Sequence, residues 1–284
     1  MPELPEVETV VRGLRQAHIC GVAITALRVG WPRTLSGAEP ASFARMLTGA
    51  SIVAVERRAK FIVLSLTTGD SLLIHLRMTG SLRVQPASAP RDPYERVAVQ
   101  FTDGRELRFR DTRKFGRWYL TRTPEAMLGK LGPEPLSADF TPARFIKMLR
   151  SHRRMLKPLL LDQGFVAGLG NIYVDEALFA AQLHPCRIAS TVSASAAGRL
   201  HQSIREVLQL GISRMGTSLG HGAVNFYSVA GRRGRNQDAL QVFRRDGEPC
   251  PVCAHMIKRM QVAQRSTHYC PRCQPVPRKR HAVT

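Results

Sequence analysis

Four of the six cysteines fall into one pattern, Cys250-x2-Cys253 and Cys270-x2-Cys273, with sixteen residues between the pairs. Each CxxC turn brings two sulfurs to one side of a point, and four thiolates at this spacing read as a tetrahedral zinc site. The chain between the pairs must then double back on itself, which suits a β-hairpin. Two disulfides are the competing reading. The acidic start, MPELPEVETV, has no apolar signal core, which argues against export and for a reducing compartment. One structural Zn2+ on Cys250, Cys253, Cys270 and Cys273 is therefore expected. Cys20 and Cys186 have no such partner and are expected to be ordinary buried or partly buried thiols.

A metal-stapled segment near one end leaves most of the 284 residues to fold on ordinary cores, enough for two modest domains. No apolar run approaches membrane-span length. The charge is unusual: 42 Lys and Arg stand against 21 Asp and Glu, a formal net charge of +21. Such a chain is drawn to polyanions in a salt-dependent way. The basic residues are interspersed through folded-looking sequence, which favours nucleic acid over an anionic membrane surface.

Pro2 and Pro5 precede Val7, Val10, Val11 and Leu14, whose spacing predicts a helix with proline in its first turn. Residues 22–121 read as strands. SIVAVERRAKFIVLSL and SLLIHLRM are separated by the tight turn TTGD, and RVAVQF and RELRFRD flank a turn carrying Asp103-Gly104. PASAPRDP is a proline-rich surface loop, and LGPEPLSADFTP (131–142) marks a domain boundary. Beyond it the texture is helical: PARFIKMLRSH, LKPLLLDQ, a segment after GLGN stopped by Pro185, and a helix capped by Ser193. Residues 216–238 are glycine-dense and basic and read as a mobile loop, and PVPRKRHAVT as a disordered tail. Three parts follow: 1–135, 136–235 and 236–284.

Several segments carry chemistry as well as structure. Gly168 and Gly170 precede a helix whose first turn holds Asn171, an arrangement that serves equally as a capped turn or a phosphate site. Arg265 lies near the tip of the zinc hairpin, either as a DNA probe or beside a pure staple. HLRMTG (75–80) and DTRKFG (111–116) place Met78, Arg113 and Phe115 at strand ends, where apolar residues are commonly core but also act as wedges in a base stack.

PELPE at 2–6, RRAKF at 57–61, HLRMTG, DTRKFG, VAGLGNIYVDE and QRSTHYCPRCQ at 264–274 together resemble the formamidopyrimidine-DNA glycosylase family, in family order and over nearly the whole chain. The resemblance implies an α+β fold: an N-terminal β-sandwich flanked by helices, a helix–two-turn–helix domain, and a C-terminal β-hairpin zinc finger. It implies a bacterial, cytoplasmic, monomeric enzyme of base excision repair acting on double-stranded DNA with oxidised bases or abasic sites. Pro2, exposed by loss of Met1, would be the nucleophile and Glu3 the general acid, with Glu6 organising the site. Lys60 would move a proton in the first elimination, and Arg265 would contact phosphate and be linked to the second. Met78, Arg113 and Phe115 would fill the gap left by the extruded nucleotide, and Asn171 would grip phosphate. His75, Arg96, Arg153 and Lys157 would contact DNA, and Glu176 lies in a matching segment. The chain departs from the family pattern at 216–240, where it reads ThrSerLeuGlyHisGlyAlaValAsnPheTyr from Thr217. An endonuclease VIII-like pyrimidine glycosylase is a rival; PELPE and the Met78/Phe115 pair favour the purine enzyme. A non-catalytic zinc-finger DNA binder is the rival from another class, disfavoured by Pro2, Glu3 and Lys60.

Overall fold

The computed structural model describes residues 2–219 and 226–276. Residues 220–225, inside the 216–240 stretch expected to depart from the family pattern, and the basic tail from 277 lie outside the described residues. Helix α1 (Leu4–Gln16) starts as its sequence predicts, with Glu3 as N-cap and Pro5 in the first turn. Its face of Val7, Val10, Val11 and Leu14 is fully buried. Two sheets form the sandwich. One has the order β1 (Ile24–Val29), β7 (Glu95–Phe101), β8 (Arg105–Arg110), β6 (Ser81–Pro86). The other runs β2 (Leu35–Ser36), β9 (Arg117–Thr121), β5 (Ser71–His75), β4 (Phe61–Leu66), β3 (Ile52–Arg58). The valines of α1 share one core with Ile62, Leu64 and Ile74 of the second sheet and Val97, Leu107 and Phe109 of the first. Removing any such side chain from water contributes about 1.5–3 kcal/mol, so the sandwich and α1 fold together.

Two local features depart from the sequence reading. The strand region contains a helix, α2 (Pro40–Leu47), started by Pro40 and holding Phe43 and Leu47 on one buried face. SIVAVERRAKFIVLSL is two strands, not one, with Arg58 paired to Phe61 across a two-residue turn. Ala59 in that turn adopts φ 54°, a left-handed conformation that Gly or Asn normally signals. Lys60 thus sits at a hairpin corner. The Asp103-Gly104 turn forms as expected, with Gly104 at φ 80°.

The chain divides into two compact units, Met1–Lys130 with Gly211–Gln237, and Leu131–Leu210 with Asp238–Thr284. The segment after Leu210 therefore packs with the sandwich although it follows the helical region in sequence. The first unit also holds the short helix α3 (Glu125–Leu128). The second contains α4 (Pro142–Arg150), α5 (Leu156–Leu161), α6 (Asn171–Ala180) and most of α7 (Ala194–Ser213), with β10 (Lys258–Val262) and β11 (Arg265–Tyr269) as an antiparallel hairpin. Ser193 Oγ accepts the Ala196 N–H at the head of α7, as a cap should. Helix α6 ends before Pro185, at Ala180, and is buried nearly all round from Ile172 to Phe179. Among the described residues no helix is long and apolar enough to cross a membrane. Cys186 is half-buried, but Cys20 is exposed rather than buried.

Candidate active site

Pro2 and Glu3 lie immediately before α1, and both are buried. Glu3 and Glu6 form a capping box, with Glu6 Oε2 accepting the Glu3 N–H at 2.8 Å. The second Glu6 oxygen accepts the Thr217 N–H at 2.7 Å. The helix start therefore fixes the backbone of the Pro2-Glu3 pair, and a distant segment fixes Glu6. Lys60 is also buried, with 5% of its surface exposed. His75 stacks edge-on against Phe61, and its Nδ1 accepts the Arg77 N–H at 3.0 Å. The ring proton then resides on Nε2. Burial, with Arg77 and Lys60 nearby, pushes the His75 pKa down to about 3. His75, expected to contact DNA, is thus a neutral, buried ring beside Lys60.

The loops after β5 and β8 are tied together by Asp111, a fully buried carboxylate. It accepts the hydroxyl of Thr79, the Gly116 N–H at 2.7 Å and the Arg113 N–H at 3.2 Å. Both loops press on the Phe109 ring: a Cβ at Gly116 would lie 2.3 Å from it and one at Gly80 2.8 Å. Glycine is required there by contact. Held this way, Met78 and Phe115 are exposed, at 37% and 47%, and line one hollow with Arg77, Arg117 and Tyr119. The Arg113 guanidinium lies 4.8 Å from the centre of the Phe115 ring. Arg96 is buried beneath them, its Nε donating to the Asp111 carbonyl at 2.8 Å. It supports the loop from inside, where a surface contact was expected.

In the second unit, Lys157, expected among the DNA-binding residues, is fully buried. Its Nζ donates to Asp175 at 2.6 Å and to the Ser266 carbonyl at 2.8 Å. A buried ammonium needs such partners, because desolvation would otherwise remove its charge. Asp175 also accepts the His268 N–H at 2.9 Å. Asn171 is the first residue of α6, with Gly170 as its N-cap. Its Nδ2 donates to the same Ser266 carbonyl at 2.9 Å, while its buried Oδ1 has no partner among the described residues. Both side chains therefore hold β11 next to Arg265. Arg265 follows the Ala263-Gln264 turn, whose positive φ values of 47° and 61° twist the hairpin tightly, and it is exposed. Arg153 is exposed as well. Glu176 accepts the N–H groups of Gln241, Val242 and Phe243, and burial raises its pKa. That carboxylate organises the approach to the zinc segment.

The four cysteine sulfurs lie within 4.8 Å of one another, with Cys250–Cys273 at 3.9 Å and Cys253–Cys270 at 3.5 Å. A tetrahedron with Zn–S bonds of about 2.3 Å spaces its sulfurs by roughly 3.8 Å, so the donor set fits zinc. The His255 backbone N–H helps hold the Cys253 thiol down to about 7.

The sequence matches known family domains along most of its length. Residues 1–118 match the formamidopyrimidine-DNA glycosylase N-terminal domain, 131–221 its H2TH domain, and 247–276 the zinc finger found in FPG and IleRS. The formamidopyrimidine-DNA glycosylase of Protochlamydia amoebophila is 47% identical over 96% of this chain and 99% of its own length. The enzyme of that name from Herpetosiphon aurantiacus is 46% identical over 96% of this chain and 100% of its own. The chain belongs to the formamidopyrimidine-DNA glycosylase family.

Solved structures of the family agree. A Lactococcus lactis FPG mutant in complex with Fapy-dG-containing DNA aligns with TM-score 0.89 and 38% identity, covering 97% of this chain and all of that one. The L. lactis protein bound to abasic-site DNA aligns with TM-score 0.88 and 36% identity, covering 96% of this chain and all of that one. Against this glycosylase-family frame, sequence reasoning missed Thr79, Asp111 and Asp175, although each lies inside or beside a quoted motif. A small polar residue in a glycine-bearing turn and an acid in an apolar helix were the available signals.

Proposed function

We propose that the chain is a bifunctional DNA glycosylase and abasic-site lyase of base excision repair, removing oxidised purines such as 8-oxoguanine and formamidopyrimidines from double-stranded DNA. The observation that carries this reading is the buried Pro2-Glu3 pair fixed at the head of α1 by the capping box. With Met1 removed, Pro2 presents a secondary amine. α-Amines titrate near ~8, so a usable neutral fraction exists at physiological pH. The nitrogen lone pair attacks C1′, the glycosidic bond breaks, and the base leaves with the bonding electrons and a proton. Glu3 delivers a proton to the sugar ring oxygen as the ring opens, leaving an iminium on Pro2. That iminium is the electron sink for loss of the 3′ phosphate, with Lys60 moving a proton, and then of the 5′ phosphate, with Arg265 assisting.

Extruding a nucleotide costs a few kcal/mol. Stacking an aromatic ring on a base recovers about 1–3 kcal/mol, so Phe115, with Met78 beside it and Arg113 on the orphaned base, offsets a comparable amount. Arg153 and Asn171 serve the phosphate backbone, and Asn171 has an orphaned oxygen to settle through water. Zinc on the four thiolates supplies folding energy to the hairpin that carries Arg265. The enzyme acts as a monomer in the bacterial cytoplasm, at the nucleoid. Cleavage of duplexes carrying 8-oxoguanine opposite cytosine, set against duplexes carrying thymine glycol, tests the substrate class. Preference for 8-oxoguanine is expected; preference for thymine glycol would assign the chain to pyrimidine lesions.

A further inference from the structure

Glu6 is the hub of a buried chain of hydrogen bonds that takes no chemical part in the proposed reaction. One oxygen holds the Glu3 N–H and the other holds the Thr217 N–H, 211 residues away in sequence. Thr217 is held in turn. Its Oγ1 accepts from Asn236 Nδ2 at 2.9 Å, and the Asn236 N–H donates to the Gly216 carbonyl at 3.0 Å. Glu3, Glu6, Thr217 and Asn236 are each no more than 4% exposed. The backbone here is too close for side chains: a Cβ on Gly234 would lie 2.1 Å from the Gly216 carbonyl oxygen, and one on Gly216 2.9 Å from Glu6 Cγ. Ser218 Oγ closes the stem by accepting the Gly234 N–H and donating to the Phe226 carbonyl.

Within the segment read as a mobile loop, residues 216–218 and 234–237 form a hydrogen-bonded stem, and through Glu6 that stem reaches the residue beside the nucleophile. We propose that Asn236 and Thr217 are positioning residues for the Pro2-Glu3 pair, acting through Glu6; this rests on the functional reading above. Buried networks of this kind hold one geometry only while every member is satisfied. A displacement of about 1 Å at a reacting atom can cost a hundredfold in rate. Neither side chain touches DNA or the reacting atoms in this account, so their effect should be on rate at saturation and not on affinity.

The test is borohydride trapping on 8-oxoguanine duplex under single-turnover, saturating conditions, paired with the Kd for a duplex holding an uncleavable abasic analogue. Asn236→Ala and Thr217→Val should each slow trapping about tenfold to a hundredfold. Their Kd should change far less, and Thr217→Ser, which keeps the acceptor oxygen, should trap near the wild-type rate. The double variant should be no slower than the worse single one, because both break the same chain. Trapping at wild-type rate in both variants would overturn the inference. So would equal losses of rate and affinity, or a Thr217→Ser variant as slow as Thr217→Val, since general loosening predicts those. If Asn236→Ala fails to fold, the Thr217→Ser and Thr217→Val pair decides alone. No trapped complex with the wild-type protein would overturn the functional reading and this inference with it.

Discussion

At the scale of single residues, the site is built by burying polar groups and supplying each with a partner. His75 shows how this reaches into solution behaviour. Its folded pKa of about 3 lies well below the value of 6.5 for a free histidine. Above pH 6.5 both folded and unfolded chains carry a neutral ring, and its contribution to stability is complete. As pH falls from 6.5 toward 3 only the unfolded chain takes up the proton, so stability is lost; below that window both are charged and the loss stops. The slope from one such group approaches about 1.4 kcal/mol per pH unit. His75→Gln should flatten the pH dependence of urea unfolding across this window, and an unchanged slope would contradict the buried neutral ring. The sequence named Pro2, Glu3, Lys60, Met78, Arg113 and Phe115 because they fall in motifs. It did not reveal that His75, Arg96 and Lys157 face inward, because burial of a basic residue depends on partners such as Asp111 and Asp175 that only tertiary packing brings near.

At the scale of elements, helices and glycine turns were legible where propensity and periodicity agreed, as in α1, the Asp103-Gly104 hairpin and the Ser193-capped α7. Two hairpin turns lack glycine: Ala59 in the Ala59-Lys60 turn, which the sequence did not signal, and both residues of Ala263-Gln264 adopt left-handed backbone. Each presents a proposed catalytic side chain at or just beyond its corner, Lys60 and Arg265. The hairpin β10–β11 is fastened to α5 and α6 through the buried Lys157–Asp175 ion pair and through Asn171. Lys157→Met would leave Asp175 buried without its cation, and breaking a buried pair costs about 3–5 kcal/mol. Urea denaturation should show a loss of that order; a change within about 0.5 kcal/mol, as for a surface substitution, would contradict the pinning role.

At the scale of the whole molecule, the charge of +21 and the four thiolates were readable as polyanion binding and zinc before any fold was known. The partition of the chain was less so: residues 211–237 pack with the first unit, a long-range association that local composition does not encode. The cysteines lie far from the sandwich core in sequence and within a separate unit. Removing zinc with a chelator should therefore abolish tight binding to lesion duplex while the β-sheet circular dichroism is retained. Binding that survives complete chelation would reduce the finger to a staple.

In the proposed mechanism the amine of Pro2 forms the covalent bond to DNA. This step is tested most directly by a mass spectrum of the N-terminal peptide after borohydride trapping on 8-oxoguanine duplex. An adduct on a peptide that begins at Pro2 is expected, and no adduct when Met1 is retained or the N-terminal amine is acylated. An adduct on Lys60 or another lysine, or full trapping with Met1 in place, would contradict it.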